Sequence, residues 1–193
     1  MNPSRAARVA LIGGGARSGK SAFAVELAHK LGSRRAFVAT ATASDEEMKA
    51  RIERHKRDRA DGFATLEVPI RLADALATLE GYDVVVVDCL TLWLSNLLLR
   101  GDPVDAILAQ VDAVVSVLAA RRFHAIVVTN EVGMSLHPTT AVGRAFVEVS
   151  GWAHQRIARA SDDVYLAVLG VVVPLRQRGE PSEFATPRPR ERS

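Results

Sequence analysis

Eight consecutive residues near the amino terminus have the pattern of a phosphate-binding loop. They are Gly14, Gly15, Ala16, Arg17, Ser18, Gly19, Lys20 and Ser21. The segment satisfies G-x-x-x-x-G-K-[ST] and lies between an apolar run and a segment of helical periodicity, which is the context this pattern requires. Glycines let backbone N–H groups converge on phosphate oxygens, and a helix amino terminus adds partial positive charge. The segment therefore predicts a nucleotide-binding P-loop in preference to a glycine-rich turn without a ligand.

Two side chains of this loop and one acid further along the chain could carry phosphoryl transfer. Lys20 is expected to reach the β- and γ-phosphates from an exposed position, and the Ser21 hydroxyl to coordinate Mg²⁺. Asp88 follows four valines, at the carboxyl end of a predicted strand, where α/β proteins bind ligands. We predict that Asp88 is the second metal ligand, although it could instead cap the next helix. Its neighbour Cys89 is expected to be a small buried residue rather than a nucleophile.

The elements that must position these residues alternate along the chain. Apolar runs predict strands at 9–12, 36–39, 65–68, 84–88, 125–129 and 164–169, as in a parallel sheet buried on both faces. Helical patterns at 21–31, 90–100, 104–121 and 140–160 predict helices between them, and a capping box of Ser44 and Glu47 predicts another near Asp45. The fold class is therefore α/β of the P-loop NTPase type (RecA-like), with a mostly parallel sheet and helices on both faces. We assign residues 1–175 to a single nucleotide-binding domain and 176–193, rich in Arg and Pro, to a disordered tail.

Composition limits the classes of function. The formal net charge of +3 is accounted for by the two basic ends of the chain, so the near-neutral body is not expected to bind nucleic acid. The single cysteine excludes an internal disulfide. No apolar run approaches the roughly 18 residues that a membrane span needs, and the amino terminus lacks the apolar core of a signal peptide. We therefore expect a cytoplasmic protein without a membrane span.

A histidine within a run of charged residues is the second candidate for chemistry. Residues 51–59 read RIERHKRDR, and on a helix Arg51 and Arg59 would flank His55 on the same face. The pattern could be a solvated charged face on which a histidine closes an apolar stripe. Alternatively, the surrounding cations lower the imidazole pKa, keep it neutral and nucleophilic, and bind the phosphate that it attacks. Spacing alone leaves both interpretations open.

Six motifs in a fixed order resemble one enzyme family. They are the P-loop, residues 39–41 (ATA), 45–48 (DEEM), 51–55 (RIxxH), 88–93 (DCLTxW) and 129–133 (TNEVG). Together they are similar to the bifunctional adenosylcobinamide kinase/adenosylcobinamide-phosphate guanylyltransferase family of cobalamin biosynthesis. The P-loop alone would not select this family, whereas the RIxxH and TNEVG motifs are far more specific. The similarity extends over residues 9–173, almost the whole predicted domain.

The resemblance implies two reactions in one chain. A nucleoside triphosphate, ATP or GTP, phosphorylates a hydroxyl of adenosylcobinamide in the presence of Mg²⁺. GTP then guanylylates His55 with release of pyrophosphate, and the GMP passes to adenosylcobinamide phosphate. The resemblance also implies a homo-oligomer, often a trimer. Outside the P-loop, the nucleotide contacts that it implies fall on Ala39, Thr40, Ala41, Lys56, Arg57, Asp58, Arg59, Glu67 and Asp88, with His55, Lys20 and Asp88 catalytic.

Two other classes of function are compatible with the residues themselves. A different P-loop small-molecule kinase would keep His55 as a structural residue and form no covalent nucleotide on the protein. A nucleotide-dependent switch would hydrolyse slowly and need a protein partner.

Several polar and apolar residues near the motifs also allow two interpretations. Asn130 could bind a ligand or cap a turn, and His154 could alter a substrate contact or be a neutral packing or surface residue. Trp93 and Asn96 are expected in the core or at a subunit interface rather than in the site. The same two alternatives hold for Leu94, Leu97 and Leu98.

Overall fold

A seven-stranded sheet lies at the centre of the computed structural model, which describes residues 7–42 and 62–179. The strands are β1 (Val9–Gly14), β2 (Arg35–Ala39), β3 (Phe63–Glu67), β4 (Val84–Asp88), β5 (His124–Val128), β6 (Asp163–Val168) and β7 (Val171–Arg176). Their order in the sheet is β3-β2-β4-β5-β1-β6-β7. Every neighbouring pair is parallel except β6 and β7, which are antiparallel. The predicted mostly parallel α/β sheet is confirmed.

Helices cover both faces of this sheet. They are α1 (Lys20–Leu31), α2 (Leu72–Thr78), α3 (Leu90–Arg100), α4 (Val104–Ala119) and α5 (Ala141–Ala160). The apolar residues of α1 pack with one face of the sheet, and those of α2 to α5, apart from Leu92 of α3, pack with the opposite face. Helix α2 was absent from the sequence-based prediction, because seven residues span only two turns and give too little periodicity to recognise.

The valine run of β4 shows why this strand is central. Val84 and Val86 belong to the apolar cluster that contains α1, whereas Val85 and Val87 belong to the cluster formed with α2 to α5. Successive side chains of a strand point to opposite faces, so a strand covered on both sides must be apolar at every position. The continuous run therefore predicted the bounds of β4 correctly.

Helix α3 resolves the choice between core and interface for its apolar side chains. Trp93, Leu94 and Leu97 are fully buried within the single chain, and Leu98 packs partly against the same cluster. The indole N–H of Trp93 donates to the backbone oxygen of Ile70 at 2.6 Å. Trp93, Leu94 and Leu97 thus belong to the core, and Leu98 borders it.

The β6–β7 hairpin is the main difference from the predicted fold. The predicted strand at 164–169 corresponds to β6, but the chain then turns at Leu169 and Gly170 and returns as β7. Both turn residues have positive φ, 53° and 79°, as a two-residue hairpin turn requires. A glycine between two apolar runs was the signal in the sequence that could have indicated it.

Residues 176–179, which the sequence assigned to the tail, lie in the described part of the chain. Arg176 ends β7, and its guanidinium donates to the backbone oxygens of Ala158 and Ser161. The backbone N–H of Arg178 donates to the Asp163 carboxylate at 3.0 Å. The predicted helix near Asp45 and residues 180–193 fall outside the described ranges. Across 7–42 and 62–179, no helix has both the length and the apolar character needed to cross a bilayer.

Candidate active site

The P-loop connects β1 to α1 through backbone conformations that suit an anion. Arg17 and Gly19 have positive φ values of 56° and 95°, and Gly19 occupies the N-cap position of α1. A glycine has no side chain with which to cap the helix, and the first turn of α1 contains no acidic residue. No acidic side chain of the first turn competes with an external anion at this position, and the helix dipole favours an anion there.

Lys20 is packed beneath this loop rather than exposed, which corrects the expectation from sequence. The residue is 7% exposed, and its ammonium donates to the backbone oxygen of Gly15 at 2.7 Å. A buried ammonium is costly unless it is compensated. Its position among the loop peptides holds a positive charge where the phosphates of a nucleotide would bind.

The loop is closely packed around Ser18 and Gly14. The Ser18 hydroxyl is buried and has no hydrogen-bond partner among the described residues. Buried hydroxyls usually have a partner, so an acceptor from outside the protein fits this position. A Cβ on Gly14 would lie 2.7 Å from that hydroxyl oxygen and would overlap the backbone oxygen of Ala167 on β6. Only glycine fits where the loop leaves β1.

Strand register brings several predicted residues to one level of the sheet edge. Glu67 pairs with Ala39, Ala39 with Asp88, Asp88 with Val128, and Val128 with Ile12. Asp88 follows Val84 and Val86 in the alternation of β4, so it belongs to the face covered by α1. With strands about 4.8 Å apart, the two steps from β4 to β1 place Asp88 on the order of 10 Å across the sheet from the start of the P-loop. The Asp88 carboxylate and Lys20 of the P-loop thus lie at the same edge of the sheet.

The segment after β4 is held by side chains on neighbouring elements. The hydroxyl of Thr40 donates to the backbone oxygen of Cys89 at 2.7 Å and accepts from its N–H at 2.9 Å. Asn96 on α3 donates to the backbone oxygen of Thr40 at 2.8 Å and to that of Pro69 at 3.0 Å. Thr40 is completely buried. Thr40 and Asn96 therefore fix the backbone on which Asp88 is carried.

The loop after β5 contacts the P-loop directly. The backbone N–H of Glu131 donates to the backbone oxygen of Gly14 at 3.0 Å. The hydroxyl of Thr129 lies 2.7 Å from Nε2 of His154 on α5, and Nδ1 of that histidine lies 3.8 Å from the Glu131 carboxylate. The backbone N–H of Asn130 donates to the hydroxyl of Thr91 at 3.2 Å. Residues 129–131 thus link the P-loop to α3 and α5.

Burial decides the protonation of two side chains in this region. Burial lowers the pKa of His154, and the opposing effect of the Glu131 charge is smaller; the imidazole is therefore neutral at pH 7. Burial raises the pKa of the Cys89 thiol, and the negative charge of Asp88 raises it further; hydrogen bonds with Thr91 and the Leu92 backbone and the Lys20 charge have smaller, opposing effects. A thiol that stays protonated is a poor nucleophile, as expected for a buried cysteine.

The structure brings one group of predicted site residues together and leaves another group outside its described ranges. Gly14 to Ser21 form the loop at the end of β1, with Ala39, Thr40, Ala41, Glu67 and Asp88 along the same edge of the sheet. His55, Lys56, Arg57, Asp58 and Arg59 lie outside the described residues. The sequence analysis assigned no catalytic, nucleotide-binding or metal-binding role to Thr129 and Glu131, which lie in the 129–133 motif, or to His154. Their proximity depends on the packing of α5 against α3, α4 and β1, which no local pattern encodes.

Comparison with known proteins identifies a family. Residues 10–175 match the family model described as cobinamide kinase/cobinamide phosphate guanyltransferase (CobU). The bifunctional adenosylcobalamin biosynthesis protein CobP of Pseudomonas aeruginosa is 41% identical over 172 residues, 89% of this chain and 98% of that protein. The corresponding CobU protein of Escherichia coli is 32% identical over 86% of this chain and 98% of that protein.

One solved structure supports the fold class. The RadB recombinase superposes with a TM-score of 0.54 at 17% identity, covering 92% of this chain and 84% of that one. At this level of identity the similarity shows the fold alone, which is RecA-like.

Proposed function

Because the chain belongs to the cobinamide kinase/cobinamide phosphate guanyltransferase family, we propose that it carries out both reactions of that family in cobalamin biosynthesis. It phosphorylates adenosylcobinamide with a nucleoside triphosphate and then transfers GMP from GTP to the phosphate formed. One observation in the structure supports the first reaction above others. The buried Lys20 of the P-loop and the carboxylate of Asp88 border the same edge of the sheet.

In the kinase reaction the P-loop binds the phosphates of the donor, which is ATP or GTP. The N–H groups at the start of α1 and the ammonium of Lys20 stabilise the negative charge that develops during transfer. The Ser21 hydroxyl and the Asp88 carboxylate are hard oxygen ligands that suit Mg²⁺, which commonly keeps water and phosphate oxygens as its other ligands. When bound, Mg²⁺ would neutralise charge on the β- and γ-phosphates.

In the guanylyltransferase reaction His55 acts as the nucleophile. Its imidazole nitrogen attacks the α-phosphorus of GTP, a P–N bond forms, and the P–O bond to pyrophosphate breaks. A phosphate oxygen of adenosylcobinamide phosphate then attacks the same phosphorus and displaces the histidine nitrogen. Lys56, Arg57 and Arg59 supply positive charge that suits the phosphates. This assignment rests on the family resemblance, since residues 55–59 lie outside the described structure.

The remaining nucleotide contacts and the assembly are also proposals. Residues 39–41, Asp58 and Glu67 are proposed to contact nucleotide, with Glu67 a candidate acceptor for a guanine edge or a ribose hydroxyl of the guanylyl donor, GTP. Glu67 ends β3, four strands from β1 in the sheet order. We propose a homo-oligomer, with a trimer as the first state to test by sedimentation.

The covalent intermediate is the sharpest test of the second reaction. Wild-type protein incubated with GTP and Mg²⁺ is expected to gain the mass of one GMP, in a bond that is labile to acid, as a phosphoramidate is. The His55→Asn variant is expected to fold and to phosphorylate adenosylcobinamide, yet to form neither the adduct nor GDP-cobinamide.

His137→Asn is the matched control, since His137 is an exposed histidine on the loop after β5, and this variant should form the adduct normally. An acid-labile adduct on His55→Asn would place the nucleophile elsewhere, with His154 the next residue to replace. Product formation by wild type without any adduct would show direct transfer. Kinase activity alone, without GMP transfer, would identify a simple P-loop kinase.

A further inference from the structure

The turn of the β6–β7 hairpin lies beside the P-loop. Gly14 pairs with Ala167 in the sheet, and the chain continues only a short way past that pair before it turns at Leu169 and Gly170. A Cβ on Gly19, at the start of α1, would lie 3.8 Å from the Cα of Gly170. The turn therefore borders the loop proposed to bind the phosphates.

This turn exposes apolar side chains. Leu169 is 96% exposed, and the flanking Val168 and Val171 are 48% and 61% exposed. Leu169 also has a φ of 53°, a conformation that glycine and asparagine adopt more readily than leucine. Leu169 therefore adds little to the stability of the turn, since its side chain is exposed and its backbone conformation is unfavourable for leucine. This combination indicates that the side chain has a role other than stabilising the turn.

The strand order gives the direction in which a nucleotide extends from the P-loop when its phosphates are bound there. Asp88, the proposed ligand of the metal on the terminal phosphates, lies on β4, two strands to one side of β1. The hairpin formed by β6 and β7 lies on the other side of β1. A triphosphate whose terminal end faces Asp88 therefore directs its nucleoside toward the hairpin.

We propose that the hairpin tip, residues 168–171, contacts the base of the nucleotide whose phosphates occupy the P-loop. This inference rests on the proposed kinase reaction and names the base subsite of its phosphoryl donor. Leu169 supplies an apolar surface for one face of a purine, with Val168 and Val171 beside it.

The chemistry of the tip determines how selective this subsite is. Residues 168–171 read VLGV, so no side chain there can donate or accept a hydrogen bond. Adenine and guanine differ in the polar groups on their edges and share an apolar face. The tip therefore adds affinity for either base and discriminates weakly between ATP and GTP as phosphoryl donors.

Leu169→Asn separates contact with the base from support of the turn. Asparagine accepts positive φ more readily than leucine, so the variant is expected to unfold at the same urea concentration as wild type or a higher one. Equilibrium dissociation constants would be measured, with Mg²⁺, for ATP, for inorganic tripolyphosphate and for GTP in the form of its α,β-methylene analogue, which cannot transfer GMP to the protein. We expect ATP and GTP to bind more weakly by the same factor, on the order of fivefold, as loss of one apolar contact implies. Tripolyphosphate has no base, and its dissociation constant should not change.

Leu99→Asn is the matched control, because Leu99 is 76% exposed near the end of α3 and should leave all three constants unchanged. The proposal fails if Leu169→Asn leaves ATP and GTP binding intact, or if it weakens tripolyphosphate binding equally. It also fails if the loss of binding is explained by a change in oligomer size on sedimentation. A kinase assay on the same wild-type preparation tests the proposed function separately. Nucleotide binding without phosphorylation of adenosylcobinamide would contradict that function and leave the comparison of dissociation constants valid.

Discussion

At the scale of single residues, Lys20 shows how the fold prepares a charge for its ligand. The residue is almost completely buried, and the backbone oxygen of Gly15 receives one of its three ammonium protons. Phosphate oxygens are strong acceptors for an ammonium group. A triphosphate bound at the loop would therefore meet a positive charge that the fold already holds in place.

Replacement of Lys20 by methionine should separate catalysis from stability. Methionine keeps the length and much of the packing but removes the charge, so phosphoryl transfer should fall on the order of a hundredfold or more. The free energy of unfolding should change by no more than about 2 kcal/mol, because the loss of the ammonium's interactions is offset by removal of a costly buried charge. Kinase turnover and urea unfolding on the same preparation measure the two effects. Normal turnover by folded K20M would remove the P-loop lysine from the mechanism.

At the scale of elements, contact with β6 restricts which residue types fit in the connection between β1 and α1. Gly14 has a φ of 157°, and an added Cβ would overlap the backbone oxygen of Ala167. Backbone atoms of a central sheet cannot move aside as a flexible side chain can. The adjacent Gly15 has no atom within 4 Å of the corresponding position. The P-loop pattern G-x-x-x-x-G-K-[ST] requires glycine at the position of Gly14 and allows any residue at that of Gly15. The packing around the two residues explains this difference.

Alanine substitutions at these two glycines form a matched pair. Gly14→Ala should lower the free energy of unfolding by about 2 kcal/mol or more, since the overlap forces β1 and β6 apart or distorts the loop. Gly15→Ala should change it by no more than about 0.5 kcal/mol. Urea unfolding curves of both variants measure the difference. Equal stability of the two would mean that the loop relaxes without cost.

At the scale of the whole molecule, the end of β7 and the residues just after it contact the rest of the described chain. The guanidinium of Arg176 reaches the end of α5 through the backbone oxygen of Ala158. Arg178 binds Asp163, the first residue of β6, through its backbone N–H. Asp163 in turn accepts a hydrogen bond from Arg8 at 2.6 Å, close to the start of β1. These interactions tie the last described residues to the first.

Two truncations should therefore differ in their effect. Removal of 180–193, a segment with little apolar sequence, should leave the unfolding midpoint and both activities nearly unchanged. Removal of 176–193 also deletes Arg176 and Arg178, which donate hydrogen bonds to Ala158 and Asp163. It should lower the free energy of unfolding by about 1–3 kcal/mol. Urea unfolding and the two activity assays compare the truncated chains. A large loss on removing 180–193 alone would show that this segment supports the domain or completes a neighbouring site.

Local sequence patterns determined the elements that are defined by their own residues. The bounds of β4 and α3 were predicted to the residue, because a strand buried on both faces must be apolar throughout, and because Gly101 ends the helix in a left-handed conformation. The P-loop was equally clear, since its glycines, lysine and serine meet the needs of a phosphate within eight consecutive positions. These features depend on residues that are close together in the sequence, so a local sequence pattern can predict them.

Tertiary structure alone decided which of these elements meet. The order β4-β5-β1-β6-β7 places Asp88 on one side of the P-loop and the hairpin tip on the other, and no property of the individual strands specifies that order. The contact of Thr129 with His154 likewise joins residues far apart in the chain. Strand order and helix packing are set by how all the apolar faces are buried together, so the surroundings of each site residue follow from the complete fold.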